Sequence, residues 1–186
     1  MITHFWKGGL IAASALVLAS CGSESDVEVE ETAGVEDSSG SPMADAIGSQ
    51  DGLGTVAGAL ESTGLEGVLE GEASYTLLAP TDAAFEAFGE LGDDGALIAN
   101  LLRSHMIPGA ITPEAIKEAG GETAMTSFGS GELTFTVDGD TITVTNGDGQ
   151  SAKLTGKAVV TSNGVILPID TVLADASALQ APAAGE

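Results

Sequence analysis

The stretch that most constrains this chain is residues 75–88, Tyr-Thr-Leu-Leu-Ala-Pro-Thr-Asp-Ala-Ala-Phe-Glu-Ala-Phe. Its opening residues, 75–79, form a short apolar run of the kind found in buried strands. Pro80 ends that run, because it has no amide hydrogen to give to a ladder. Thr81 is placed to cap a helix, its hydroxyl accepting from an amide one turn in. Asp82 sets a negative charge at the positive end of the helix dipole. Phe85 and Phe88, three residues apart, fall on one helix face and are expected to point into a core. A buried strand that turns at once into a short amphipathic helix belongs in a domain that mixes both elements. By itself it specifies no function.

The flanking sequence extends this pattern. Leu53, Val56 and Leu60 have helical spacing, and Gly64 suits the position just past the helix end. Leu65, Val68 and Leu69 make a second short helical face. Residues 94–105 predict a further helix, with Leu97, Ile98, Leu101, Leu102 and His105 on one side. Pro108-Gly109 closes that segment, and Thr112-Pro113-Glu114 starts another helix with a cap, a first-turn proline and an acid near the dipole. From Thr123 the period changes to two. Leu133, Phe135 and Val137 alternate with threonines as in a half-buried strand. Asp138-Gly139 and Asn146-Gly147 are hairpin-type turns, with Ile142 and Val144 on the strand between them. Residues 152–154, 158–161 and 165–173 predict further strands. Helices therefore gather in the first half and antiparallel strands in the second, an α+β arrangement.

Two more segments give the junction a context. Residues 101–109 read Leu-Leu-Arg-Ser-His-Met-Ile-Pro-Gly, and residues 159–173 read Val-Val-Thr-Ser-Asn-Gly-Val-Ile-Leu-Pro-Ile-Asp-Thr-Val-Leu. With Ala-Pro-Thr-Asp and Ala-Phe, in this order and spacing, they resemble the fasciclin domain family over roughly residues 50–175. The resemblance implies a wedge-like β-sandwich of short, mostly antiparallel strands with several helices packed at one side. It also implies an adhesion or interaction module without catalysis. The positions it carries over are Pro80, Thr81, Asp82, Phe85, His105, Pro108, Gly109, Asn163, Gly164 and Asp170. In animal members adhesion is attributed to the neighbourhood of a Tyr-His pair, and here the tyrosine position is Ser104. Leu167-Pro168 also departs from the family's usual His-Val. Pro168 removes a ladder donor, so its strand is expected at an edge or bulged there.

The amino end reads as a secretory signal over residues 1–20. Lys7 and His4 give it a weakly basic start, and the apolar run that follows falls short of the roughly 20 residues of a spanning helix. Leu18-Ala19-Ser20-Cys21 resembles the lipobox of bacterial lipoproteins. That resemblance implies a thioether-linked diacylglyceryl group on Cys21, cleavage before it, and stable anchoring by at least two acyl chains. Cys21 is the only cysteine, so no disulfide can form within the chain. The expected location is the cell envelope, lipid-anchored; Gly22 permits the outer membrane, on its periplasmic or surface face, in a Gram-negative cell. Residues 21–50 are rich in Asp and Glu and lack Lys and Arg, which predicts a disordered acidic tether after the acylated cysteine. The domain is placed at 51–175 and an Ala-rich tail at 176–186.

The chain carries 28 Asp and Glu against 5 Lys and Arg, a formal net charge of −23. That excess opposes nucleic-acid binding, which needs clustered cations. The expected partners are the membrane, through the lipid on Cys21, and a protein or glycan. His105 lies on an apolar face and needs partners for both ring nitrogens if buried. A Ser-His-Asp hydrolase would have to use it, but no Gly-x-Ser-x-Gly elbow is present. No EF-hand loop, zinc set, phosphate loop or dinucleotide fingerprint occurs, so neither a metal nor a cofactor is expected. Asn163 and Asp170 read as structural, the first in a turn and the second as an acceptor of backbone hydrogen bonds. A periplasmic carrier for a small ligand or glycan stays open as an alternative. An apolar pocket of roughly 300 Å³ or more with convergent polar groups would favour it.

Overall fold

The computed structural model describes residues 35–89, 94–129 and 131–174. Cys21, the signal segment, the first part of the acidic stretch and the Ala-rich tail lie outside the described residues. In chain order the elements are β1 (Val35–Ser38), α1 (Met43–Gly48), α2 (Gly54–Thr63), α3 (Glu66–Leu69), β2 (Tyr75–Pro80), α4 (Asp82–Phe88), α5 (Gly95–Ser104), β3 (Met106–Pro108), α6 (Pro113–Ala119), β4 (Glu122–Thr126), β5 (Glu132–Asp138), β6 (Thr141–Asn146), β7 (Ser151–Lys153), β8 (Ala158–Thr161) and β9 (Gly164–Ile169).

The strands form two sheets. One has the order β1-β8-β9-β2-β3 and is mixed, with β1-β8 and β9-β2 parallel. The other is the antiparallel meander β4-β5-β6-β7. Successive side chains on a strand point to opposite faces, and here each face has its own layer. Leu77 and Ala79 of β2 and Ile166 of β9 pack with Val56, Leu60, Phe85, Leu101 and other residues of the helices. Leu78, Val165, Leu167 and Ile169 pack on Phe135, Val144 and Ile142 of the second sheet. The near-continuous burial of β2 follows, since both of its faces are covered. The result is the α+β sandwich with helices at one side that the sequence predicts.

Three expectations are corrected. Residues 35–50 are not the disordered tether that their acidity predicts. Val35–Ser38 extends the mixed sheet, pairing in parallel register from Val35↔Ala158 to Ser38↔Thr161. Met43, Ala46 and Ile47 of α1 are buried in the helical layer. A ladder is made by backbone groups whatever the side chains, and three apolar contacts suffice to seat so short a helix. Phe88 is not in the core. It is 37% exposed, while Phe85 is 7% exposed. It occupies the last position of α4, after which Gly89 turns away with φ 97°.

Pro168 lies on a central strand, not at an edge. The β8-β9 ladder runs only over Val159↔Ile166, Val160↔Val165 and Thr161↔Gly164, so it has ended before Pro168. On the other side Pro168 stands opposite Ala79 of β2. Its carbonyl accepts from Thr155 N at 2.8 Å. A proline is tolerated where the neighbouring strand has already stopped. Pro80 is likewise the last residue of β2, opposite Ile169, so it closes the strand from within.

Candidate functional site

The positions carried by the three motifs meet around the two ends of β2. At its carboxyl end Thr81 caps α4, its Oγ1 accepting from Ala84 N at 3.3 Å. Asp82 does more than sit in the first turn of α4. Its Oδ1 accepts from Thr55 N at 2.8 Å, and its own amide donates to Gly52 O at 2.8 Å. It therefore caps α2, whose N-cap residue Leu53 has no side-chain acceptor. One carboxylate thus serves two helix N-termini, each with orphan amides and a positive dipole end. Hydrogen bonds from Thr55, side chain first and then backbone, hold the Asp82 carboxyl below the usual carboxylate range.

At the other end of β2 the chain comes back through Asn163 and Gly164. Asn163 Oδ1 accepts from Met43 N at 2.9 Å, and its Nδ2 donates to the carbonyls of Leu69 and Gly71. Its main-chain carbonyl accepts from Tyr75 N at 3.2 Å. The side chain thereby ties α1, the end of α3 and the β8-β9 turn together. Gly164 is required by contact: a Cβ there would collide with the carbonyl oxygen of Tyr75. Asp170 Oδ1 accepts from Lys153 N at 2.8 Å and from Thr171 Oγ1 at 3.0 Å, joining the end of β9 to β7.

His105 is the C-cap residue of α5 and is 1% exposed. Its Nδ1 lies 2.8 Å from Leu101 O, and its Nε2 accepts from Leu173 N at 3.0 Å. An N–H donor on Nε2 fixes the tautomer: Nδ1 carries the proton and the ring is neutral. Burial pushes its pKa from 6.5 down to about 4, with the Leu101 carbonyl opposing the shift. The ring cannot accept a proton from a serine, since both nitrogens are held by backbone groups. Neighbouring Ser104 donates to Asn100 O at 3.1 Å instead. Ser104 is also closely covered. A Cβ at Gly129 would lie 3.0 Å from Ser104 N and 3.1 Å from its Oγ. Ser104 is 6% exposed, so a larger side chain at this position would have to displace its neighbours.

Pro108 ends β3 opposite Tyr75, and Gly109 follows with φ 102°. The residue that fixes this corner escaped the sequence reading. Thr76 is 0% exposed; its Oγ1 donates to Gly109 O at 2.7 Å and accepts from Ile111 N at 2.8 Å. The available signal was a threonine next to the buried apolar run of the strand.

Apart from the motif positions, an open cleft of about 380 Å³ lies between α4 and the loops at the ends of β6 and β9. Phe88, Ala84 and Val172 give it an apolar side, and Gln150, Ser151 and Asp170 a polar one. Among the described residues, no group of three or more His, Cys, Asp or Glu is placed to hold a metal ion. Also among the described residues, no helix is long and apolar enough to cross a membrane.

This is a small α+β module in which two sheets and a helical layer are pinned by polar side chains bonded to the backbone. The chain belongs to the fasciclin domain family, whose model matches residues 51–175. The fold begins earlier than that match, at β1. The chain is 36% identical over 135 residues to transforming growth factor-beta-induced protein ig-h3 of Sus scrofa, and equally to that of Oryctolagus cuniculus. Each alignment covers 69% of this chain and 19% of the relative, so the chain spans about a fifth of the length of these relatives. Among solved structures it resembles the FAS1 domain pair of the insect cell adhesion molecule Fasciclin I. The TM-score is 0.58 at 22% identity, over 66% of this chain and 45% of that one. At that identity the likeness concerns the fold alone.

Proposed function

We propose that this chain is a lipid-anchored fasciclin module of a bacterial cell envelope that serves adhesion or contacts with proteins or glycans, without catalysis. The observation that carries the reading is how the motif side chains are used. Thr81, Asp82, His105, Asn163 and Asp170 each bond a backbone group and hold elements together. The motif thus builds a scaffold, and recognition falls to its surface. Its acidity suits soluble display and not nucleic acid. The Leu-Ala-Ser-Cys sequence ending at Cys21 supports the anchor.

The test is attachment of cells that make the full chain to surfaces coated with envelope glycans or matrix proteins. Cells with the wild-type chain should attach more than cells without it. Equal attachment would contradict the reading. The cleft beside Phe88 favours a second reading, a carrier for a small ligand or glycan, because its volume passes the lower bound of ligand sites. It is open to the surface, which suits contact with a tethered ligand better than carriage of a free one.

A further inference from the structure

We propose that the cleft beside Phe88 binds a neutral saccharide of one or two rings, with the sugar's C–H face on the Phe88 ring and its hydroxyls on Gln150 and Asp170. This rests on the interaction reading above and names the chemistry of one partner. It does not need the lipid anchor.

The first observation is Phe88 itself. An aromatic ring on a helix whose neighbours Ala84 and Phe85 are buried is nonetheless 37% exposed, at the mouth of a cleft. A flat apolar surface beside polar groups suits a ligand with one face of C–H bonds and an edge of hydroxyls.

The second observation is the state of the polar side. Gln150 Oε1 accepts from Ala174 N at 2.9 Å, which identifies that atom as the oxygen and leaves Nε2 as a donor. Asp170 is held through Oδ1 by Lys153 N and Thr171 Oγ1. Among the described residues, Nε2 of Gln150 and Oδ2 of Asp170 have no partner. Each side chain is oriented by one of its atoms and offers the other. A hydroxyl both donates and accepts, so a fixed amide donor and a fixed carboxylate acceptor in one cleft match a polyol. The turn that presents Gln150 is itself rigid: Asn146 Oδ1 accepts from Gln150 N at 2.8 Å, and Asn146 N donates to Gln150 O at 2.9 Å. Sites held by such internal bonds lose little freedom on binding.

The third observation is charge. Among the described residues the basic side chains are those of Arg103, Lys117, Lys153 and Lys157, and none of these lines the cleft. Asp170 contributes a negative charge there. Uronic acids, phosphosugars and other anions would meet repulsion without a counter-ion. The class that fits is neutral.

The experiment uses the full-length Cys21→Ser chain, isotope-labelled and free of acylation. It is titrated with methyl glycosides of glucose, galactose, mannose and N-acetylglucosamine, with cellobiose, lactose and chitobiose, and with glucuronate as the anionic comparator. Amide shifts are followed by NMR. At least one neutral sugar should shift amides around residues 84–88, 150–151 and 170–172, and glucuronate should not. Phe88→Ala should weaken binding about tenfold, the size of one aromatic contact, with an unchanged melting temperature. Phe88→Trp should restore it. Absence of shifts in those segments with every neutral sugar would overturn the proposal. So would binding that Phe88→Ala leaves intact, or glucuronate binding as well as neutral sugars. Wild-type cells that still attach while their purified chain shows no shift with any neutral sugar would overturn the cleft and leave the adhesive reading standing.

Discussion

His105 Nε2 accepts the amide hydrogen of Leu173 at 3.0 Å, across 68 residues of sequence. The bond fastens the end of α5 to the segment after β9, and it exists only while the imidazole is neutral. An unfolded histidine takes up a proton near pH 6.5, whereas this one resists until about pH 4. Between those values the unfolded chain binds the proton and the folded chain does not. Stability is therefore full above pH 6.5, falls as the pH drops toward 4, and loses no more from this group below that. The loss is on the order of 3 kcal/mol. Urea unfolding of wild type and His105→Gln across pH 4 to 7 checks it. The difference between the two should shrink on acidification, and a difference independent of pH would refute the buried neutral imidazole.

Removing the shared cap should loosen a helix that is distant in sequence. Asp82→Ala is expected to cost about 1–2 kcal/mol, and Asp82→Asn less, because the amide oxygen can still accept from Thr55 N. Hydrogen exchange should show faster opening at the amides of Thr55 and its neighbours at the start of α2. Protection changes limited to α4 would contradict the double cap.

Gly164→Ala should be among the most damaging small substitutions in the chain. The added methyl collides with Tyr75 O, so β9 must move away from β2 at the centre of the mixed sheet. A cost of about 2–4 kcal/mol is expected, in the range of strained or overpacked core positions. Asn163→Ala should cost a similar amount by leaving Met43 N and the Leu69 carbonyl without their partner. Chemical denaturation of each variant measures both values.

Restoring the family's tyrosine should harm this chain. Ser104→Tyr puts an aromatic ring at a position that is 6% exposed, beside the backbone of the loop at 127–129, whose Gly129 N donates to Arg103 O at 3.0 Å. The expected loss is at least about 1–3 kcal/mol, and Ser104→Ala should be milder. A Ser104→Tyr chain as stable as wild type would show that the loop at 127–129 yields freely.

What the sequence made legible was local. The strand-to-helix junction at Thr81 and the cap at Thr112 depend on residues within one turn, and both are in place. That His105 would be buried and doubly bonded also followed from one helix face, but its partner Leu173 did not, being fixed only by the packed layers. The same limit hid the second duty of Asp82, since Thr55 lies 27 residues away. Phe88 obeyed the three-residue rule and was still misplaced, because that rule does not say where the layer beneath a helix ends. Acidity misled at 35–50, where β1 is held by backbone pairing. Pro168 misled because an edge is only one of the places where a ladder donor is dispensable. The cleft beside Phe88 joins α4 to loops more than 60 residues later and had no sequence signature.

Membrane fractionation and surface attachment, measured side by side in cells making wild-type or Cys21→Ser chain, bear most directly on the anchored adhesive module. Wild type should sediment with membranes and promote attachment, whereas Cys21→Ser should leave the membrane fraction and lose attachment while its fold stays intact. A Cys21→Ser chain that stays membrane-bound, or a wild-type chain that leaves attachment unchanged, would contradict it.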